Sequence, residues 1–411
     1  MKKVLILGLA VFGVCIYFGD RTAAQTSTAA QTQAVVAATK SFLEALSPAQ
    51  REKVQFPFTP QKTGTVARFA RSGGPGGPGG GGRPGGRSGA DDKGGRGFDN
   101  GRGPGDGGGP DGRGRGPGGG LGGGFVGEKY GEAVWSNFPV SDVPRPGLQL
   151  GGLTDAQQAA ATHLLQVVLS PMGYQKVLDI MGSDQALSDG GTNFASGKAV
   201  YTIGIFGTPS ATAPWMLEFG GHHLGLNITM MGEHGVMSPT LTGAQPAVYT
   251  SNGKTVRALA AESDKAFALL NALDDGERKL AMLNYRMGDL VAGPGHAGET
   301  IQPEGLKASA MNEKQRALLL DVISEWAGII NDAYVTPRTA EIKAGLPDTY
   351  FAWSGSTTHE AGKNGSAYYR IQGPKLIIEF APQGGGDSSM HVHTMYRDPT
   401  NDYGVAFTSP K

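Results

Sequence analysis

The sequence of 411 residues has a single cysteine, Cys15, and no net charge. Cys15 lies within an apolar N-terminal run, so the rest of the chain has no thiol with which to form a disulfide, bind a metal or attack a substrate. The 36 basic residues are balanced by 36 acidic ones. We therefore expect binding neither to nucleic acid nor to an anionic membrane surface.

The N-terminus has the features of a secretory signal peptide. Two lysines precede an apolar run from Val4 to Phe18, and small residues follow up to Ala24. This run has 15 residues, which is short for a membrane span of about 20 residues. The sequence thus predicts a Sec-type signal peptide over residues 1–24, a secreted or periplasmic protein, and no stable membrane insertion after cleavage. Without disulfides, the exported chain must depend on the size of its core.

Residues 73–124 are dominated by glycine, which fills 29 of the 52 positions. Five aspartates alternate with seven lysines and arginines, and almost no large apolar residue is present. Such a segment buries too little apolar surface to offset the entropy lost on ordering, so it is predicted to be a disordered insertion. It separates a helical N-terminal part, residues 25–72, from the main part of the domain, residues 125–411.

The periodicity of the remaining sequence predicts an α+β fold. Helices are expected over roughly residues 32–46 and 48–54, after the capping box Thr154–Gln157, and after the N-cap Asn312. Two blocks of strands each contain a Tyr-bearing strand, a strand that ends in Glu-Phe and a strand that opens with histidine. We expect two antiparallel meanders packed with two blocks of helices. The match between the blocks fits a duplicated three-strand unit or a coincidence.

Four histidines are the candidate metal ligands. His391 and His393 are two residues apart in a predicted strand, so their side chains project from the same face. His222 and His223 are adjacent, so alternation places them on opposite faces unless a bulge redirects one. Alternation groups His223 with the polar Asn227, which makes both candidates for a solvent-accessible site. His222 shares a face with apolar residues and is expected to be an interior histidine, or a further ligand if it is redirected.

Other polar residues near these strands are candidates for substrate contact or catalysis. Glu218 and Glu379 lie between apolar residues, where an unpaired charge is costly, and either is expected to orient an imidazole or act as a base. Arg397 is the candidate anion anchor because its guanidinium offers a bidentate fork. Arg370 and Tyr396 are further candidates for ligand binding.

Several of these motifs resemble one bacterial family. "WSNFP", "LSPMGY", "FGGHHLGLNIT", "YYRIQGP" and "HVHTMYRDPTNDYG" are similar to the family catalogued as domain of unknown function 3500. The resemblance extends from about Ser41 to Gly404 and implies a single domain interrupted by the Gly-rich segment. It implies no particular activity.

Three interpretations of the polar cluster remain open: a metal site, a metal-free polar pocket, and a structural network. The leading hypothesis is a metal-dependent enzyme that acts on a small or oligomeric substrate through a divalent zinc, iron or copper ion. The alternatives are a ligand-binding protein that uses the same pocket without metal, and an interaction protein that works through the Gly-rich segment.

Overall fold

The computed structural model describes residues 26–69, 125–195, 197–360, 366–383 and 390–408. The predicted signal peptide and the predicted Gly-rich insertion lie outside these ranges. The described residues form helices and mainly antiparallel strands, which confirms the predicted α+β class. No helix in the described ranges combines the length and apolarity needed to cross a membrane.

The helices precede each of two strand blocks, as the sequence predicts. Ser47, Thr154 and Asn312 each start a helix with a capping box, in which a glutamine three residues later bonds back to the cap. The first helix begins earlier than predicted because Ser27 caps it. The described helices are α1 (Thr28–Ala45), α2 (Pro48–Val54), α3 (Asp155–Val168), α4 (Pro171–Asp189), α5 (Ala260–Ala272), α6 (Asp275–Ala281), α7 (Glu313–Ala327), α8 (Asp332–Gly345) and α9 (Val405–Thr408).

The strands form one large sheet and two small ones. They are β1 (Gln55–Phe56), β2 (Thr65–Phe69), β3 (Phe125–Tyr130), β4 (Ala133–Trp135), β5 (Leu148–Gln149), β6 (Thr202–Phe206), β7 (Trp215–Gly221), β8 (Leu224–Met231), β9 (His234–Ala244), β10 (Val248–Ser251), β11 (Lys254–Arg257), β12 (Leu306–Lys307), β13 (Tyr350–Ser354), β14 (Tyr368–Gly373), β15 (Leu376–Gln383) and β16 (His391–Arg397).

The large sheet joins the two predicted meanders edge to edge. Its order is β1-β6-β7-β8-β9-β16-β15-β14-β13-β12, and β5 also pairs with β6. Each meander has four strands where three were expected, because β9 follows β8 in the first and β13 precedes β14 in the second. As a result β9 lies between β8, which starts directly after His223, and β16, which contains His391 and His393.

The two faces of this sheet differ in character. Leu224, Leu226 and Ile228 alternate along β8 into a large apolar core, which includes Phe42 of α1 and Trp326 of α7. Alternate residues face the other side. That second face is rich in polar side chains and is covered by the β2-β3-β4 sheet and by the segment that follows α6. The candidate site residues, apart from Tyr396, belong to this second face or to its edge.

The strands on either side of the Gly-rich segment in the sequence are neighbours in the structure. β2 and β3 pair antiparallel, with Phe69 opposite Phe125. This pairing is what an insertion into a single domain predicts.

Candidate metal centre

His222 and His223 form the turn of a hairpin. Gly221 pairs with Leu224, so the two histidines are the only residues between β7 and β8. His223 has a φ of 63°, which is uncommon for a residue other than glycine. The strand alternation assumed from the sequence is therefore wrong for this pair, because turn residues do not follow the period of the strands that they connect.

Three contacts hold this turn in place. His223 N donates to Asn137 O (3.1 Å), and Tyr201 Oη donates to His222 O (2.7 Å). The buried guanidinium of Arg145 donates to Gly221 O (3.1 Å) and to carbonyls of the segment around Asn137. No sequence pattern indicated this role for Arg145, because it depends on contacts between distant segments.

The turn carries His223 to the two histidines of β16. His223 Nε2 lies 2.9 Å from His391 Nε2, and the ring centroids of His223 and His393 are 5.3 Å apart. One ligand nitrogen from each of the three histidines lies within 4.8 Å of the other two. His391 and His393 project from the same face of β16, as their spacing predicts. These three residues, which we call the histidine triad, have the number and proximity needed to hold one metal ion.

Gly243 makes this approach possible. It is the partner of His393 on β9, the strand over which His223 must reach. A Cβ at position 243 would lie 3.2 Å from His223 Cβ and 2.7 Å from Val392 O. Any larger residue would therefore press on His223 and on the backbone of β16.

Asp289 orients one member of the triad. His393 Nδ1 donates to Asp289 Oδ1 (2.9 Å), and the same oxygen accepts from Gln383 Nε2 (2.9 Å) and Leu290 N (2.7 Å). A carboxylate oxygen in this position favours the His393 tautomer with its proton on Nδ1, which leaves Nε2 free to bind a metal. Asp289 was missed because it lies in an irregular segment about 100 residues before His393.

His222 lies behind the triad. Its Nδ1 donates to the buried Asp184 Oδ1 (2.7 Å), and its ring stacks on that of His223 with centroids 3.8 Å apart. It does not belong to the group whose ligand atoms converge. The structure thus gives His222 the surroundings of a hydrogen-bonded interior residue, and Asp184 is a second carboxylate that the sequence did not reveal.

Burial keeps two members of the triad, His223 and His391, neutral. It lowers the pKa of His223 well below its usual value, and the neighbouring imidazoles add to this effect. The pKa of His391 is lowered to about 3, first by burial and then by repulsion from His393 and His222. Metal binding requires an unprotonated nitrogen, so a neutral imidazole is the form that the site needs.

The two predicted glutamates support the segments that cover the site. Glu218 Oε2 accepts from Val134 N (3.1 Å) in β4, just before Asn137. Glu379 accepts from Val291 N and Ala292 N (3.0 and 2.8 Å), just after Asp289. Neither carboxylate takes part in the triad. Burial raises the pKa of both, and that of Glu218 reaches about 8.

The other predicted ligand-binding residues do not meet the triad. Arg397 is fully buried, and its Nε and Nη2 both donate to Asp402 Oδ2 (2.8 and 2.6 Å), so these nitrogens are not free to bind an anion. Arg370 is paired with Glu304 (2.9 Å), and Asn227 Nδ2 donates to Pro239 O (3.1 Å). Tyr396 lies an odd number of residues from His393, hence on the opposite face of the sheet. There its hydroxyl accepts from Arg338 Nε (2.7 Å).

Comparison with known protein families gives a family match. Residues 127–405 match the model of a family described as "Protein of unknown function (DUF3500)". The chain belongs to this family. The matched DUF3500 region starts after the Gly-rich segment and contains the entire triad, whereas the motifs suggested a start near Ser41. Neither a curated protein nor a solved structure matches the chain.

Proposed function

We propose that this DUF3500 protein is a metal-dependent enzyme in which His223, His391 and His393 hold a divalent metal ion. The observation that carries the proposal is the convergence of the three ligand nitrogens within 4.8 Å. Three histidine ligands are typical of catalytic zinc sites, which leave one position for water or substrate. Zinc is the first choice because the described ligand set is made of nitrogen alone, although copper and iron also bind imidazole.

Two members of the triad need only a small adjustment to share a zinc ion. Nitrogen ligands about 2.05 Å from a tetrahedral zinc ion are about 3.3 Å apart. The Nε2 atoms of His223 and His391 are 2.9 Å apart and share one proton in a hydrogen bond. Metal binding would require that proton to move to the Nδ1 of its own ring and would open the pair by roughly 0.4 Å.

A small depression lies against the segments that hold the triad. It is lined by Asn137, Phe138, Asp289 and Leu290 among others, and its enclosed space of about 10 Å³ holds about one water molecule. Asn137 and Asp289 are also the partners of His223 and His393. In this proposal a bound metal ion activates water or polarises a substrate oxygen. The chain orients the imidazoles through Asp289, Asn137 and Gly243.

The test combines metal analysis with turnover. The mature chain is purified without chelators, its metal content is measured, and hydrolysis of 4-nitrophenyl esters and phosphate esters is followed with and without added zinc. We expect about one metal ion per chain and a metal-dependent rate that His391→Ala and His393→Ala abolish. His163→Ala, on an exposed part of α3, serves as the control and retains both. Stoichiometric metal without turnover would reduce the proposal to a metal-binding protein, and absence of metal would refute it.

One observation favours a second candidate function. The 2.9 Å hydrogen bond between His223 and His391 holds these two imidazoles together without a metal. A polar pocket of this kind can bind an organic ligand directly, as a non-catalytic binding protein does. The metal analysis separates the two functions, because only the metal centre predicts a stoichiometric ion.

We also propose that the protein acts outside the cytoplasm. The support is the N-terminal sequence, with its lysines, apolar run and small residues up to Ala24, together with the lack of cysteine in the chain that follows. Mass spectrometry of the N-terminal peptide, from protein recovered in an extracellular or periplasmic fraction, tests this. A mature start at Gln25 is expected, and recovery of the intact N-terminus from the cytoplasm would contradict it.

A further inference from the structure

A long irregular segment crosses the polar face of the sheet beside the histidine triad. Residues 283–305, which we call the strap, are described throughout and contain neither helix nor strand. Both ends of the strap are joined to β13. Leu283 N donates to Trp353 O (2.7 Å), and Leu306, directly after the strap, pairs with Phe351. Loops of this length without secondary structure are uncommon in compact domains and often serve as lids. A loop whose two ends meet on one strand can move as a unit.

The strap is held on the sheet by polar side chains and buries little apolar surface. Its own buried residues are Leu290, Ala292, Gly293 and Pro294, of which only Leu290 has a large apolar side chain. Local opening of such a segment costs much less free energy than global unfolding. The side chains that bind it from the sheet are Glu379 at Val291 and Ala292, Arg397 at His296, Gln372 at Ile301 and Arg370 at Glu304.

Two of these side chains are incompletely paired beneath the strap. Arg370 is 2% exposed and Gln372 is 5% exposed. Arg370 Nε and Gln372 Oε1 have no hydrogen-bond partner among the described residues. A buried polar atom without a partner costs about 1–3 kcal/mol, and water would reach both atoms if the strap lifted. The docked position of the strap therefore has a cost that opening would remove.

One edge of the strap forms a seam with the segment around β4. Asp289, Leu290, Gly293 and Pro294 of the strap form one wall of the small depression beside the triad, and Val126, Asn137 and Phe138 form the other. The enclosed space admits about one water molecule. His223 and His393 are only 2% and 8% exposed. Movement of the strap would open this seam and widen access to His393.

Asp289 joins the strap to the triad. Its Oδ1 accepts from His393 Nδ1 (2.9 Å). A metal ion on His393 Nε2 would place positive charge on the ring that faces this carboxylate, and the hydrogen bond would become stronger. Metal binding would thus favour the docked strap. By linkage, the docked strap favours metal binding by the same factor.

We propose that the strap is a lid on the histidine triad, which opens along the seam to admit metal and substrate and which a bound metal ion holds closed through His393 and Asp289. This inference rests on the proposed metal centre and adds its regulation. It gives Asp289 a second role, because the carboxylate that orients His393 also reports metal occupancy to the strap.

Hydrogen–deuterium exchange of the full mature chain, measured by mass spectrometry with and without zinc, tests the proposal. The metal content of each sample is measured alongside. In the zinc-free chain we expect the amides of the strap to exchange faster than those of α7, which packs in the core on the other face of the sheet. Saturating zinc should slow exchange in the strap about 10-fold or more and leave α7 unchanged.

Two variants separate a gating lid from a passive cover. In Asp289→Ala the strap should exchange equally fast with and without saturating zinc, because the link to His393 is lost. Asp348→Ala, at the exposed ion pair with Lys307, is the matched control and should respond to zinc as the wild type does.

Glu304→Ala changes the strap without touching the triad. Glu304 Oε2 accepts from Arg370 Nη2 and from Tyr285 Oη, and thereby ties the two ends of the strap together. Its removal should speed strap exchange roughly 5- to 10-fold. Release of zinc to an excess of chelator should become faster by a similar factor, because zinc leaves through the open state.

Four results would overturn the proposal. Strap exchange as slow as that of α7 in the zinc-free chain would show that the strap does not open. Stoichiometric zinc with unchanged strap exchange would refute the coupling and leave the metal centre standing. Faster strap exchange in Glu304→Ala without faster zinc release would show that zinc leaves by another route. Absence of bound zinc, identified by the metal content, would refute the metal centre together with its lid.

Discussion

His223 reaches His391 across an intervening strand, and their Nε2 atoms lie 2.9 Å apart. The two residues are 168 positions apart in the sequence, and each belongs to a different meander. The junction of β9 with β16 fixes the distance between the meanders, and the left-handed turn at His223 directs its imidazole over that junction. The candidate metal centre is therefore a product of how the two meanders join.

Gly243→Ala should disturb the triad selectively. The added Cβ would meet Val392 O at 2.7 Å and His223 Cβ at 3.2 Å, so it would press on both the backbone of β16 and the side chain of His223. Overpacking of this kind costs about 1–3 kcal/mol. If this cost destabilises the metal-bound state more than the metal-free state, zinc affinity should fall roughly 10-fold or more. Competition with a chromogenic chelator measures the affinity. Gly152→Ala, where a Cβ meets nothing within 4 Å, is the control, and equal losses in both variants would contradict the prediction.

Asp289→Asn should weaken metal binding without removing a ligand. An amide can donate as well as accept, so the new side chain would no longer favour the His393 tautomer that has its proton on Nδ1 and a free Nε2. Loss of such a partner typically lowers metal affinity 10- to 100-fold. The same chelator competition gives the value. Asp348→Asn, at an exposed ion pair with Lys307, should bind zinc as the wild type does. Wild-type affinity in Asp289→Asn would argue against an orienting role.

Glu379→Ala should lower stability and metal affinity together. The carboxylate accepts from Val291 N, Ala292 N and Tyr368 Oη, and its removal leaves these buried donors unpaired. The expected loss of unfolding free energy is about 3 kcal/mol or more, as measured by denaturant titration. Zinc affinity should also fall, because these bonds fix the segment that carries Asp289. Glu313→Ala, in the first turn of α7, should change neither quantity greatly. Loss of stability with full zinc affinity would show that the segment is held by other contacts.

The raised pKa of Glu218 predicts that the stability of the protein depends on pH. Burial raises its pKa to about 8, from 4.5 in an exposed carboxyl. Between these values the folded state keeps a proton that the unfolded state has lost, so stability falls as the pH rises towards 8. The buried histidines with lowered pKa act in the opposite sense, but only below about pH 6.5. From pH 6.5 to 8 the Glu218 contribution should therefore decrease by about 1–2 kcal/mol.

Glu218→Gln provides the comparison, since its amide oxygen can still accept from Val134 N. Denaturant titrations at several pH values should show a shallower decline for this variant than for the wild type. The buried carboxyls of Glu128, Glu379 and Asp402 also have raised pKa values, and they are the same in both proteins. Identical pH profiles would show that Glu218 is ionised in the folded protein.

Much of the fold could be read from local signals. Capping residues, apolar periodicity and strand alternation depend on neighbouring residues, and they located the helices after Ser47, Thr154 and Asn312 and the shared face of His391 and His393. The turn at His222 and His223 was misjudged because "GGHHLG" continues an alternating strand pattern on both sides. Only the pairing of Gly221 with Leu224 reveals it.

The remaining parts of the site depend on long-range contacts. Asp289, Asp184 and Gly243 contribute through contacts with histidines that are distant in the sequence or on a neighbouring strand. No periodicity in their own segments marks them. The two Glu-Phe motifs were recognised as a pair, but the prediction that they serve the chemistry overlooked the backbone N–H groups that their carboxylates hold.

X-ray absorption spectroscopy of the zinc-loaded mature chain tests the histidine triad most directly. We expect about three imidazole nitrogens at about 2.0–2.1 Å from zinc, with the remaining ligand being water or a small anion. His391→Ala should reduce the number to about two, and His163→Ala should leave it unchanged. Zinc bound by at most one imidazole, or an unchanged imidazole count in His391→Ala, would contradict the account.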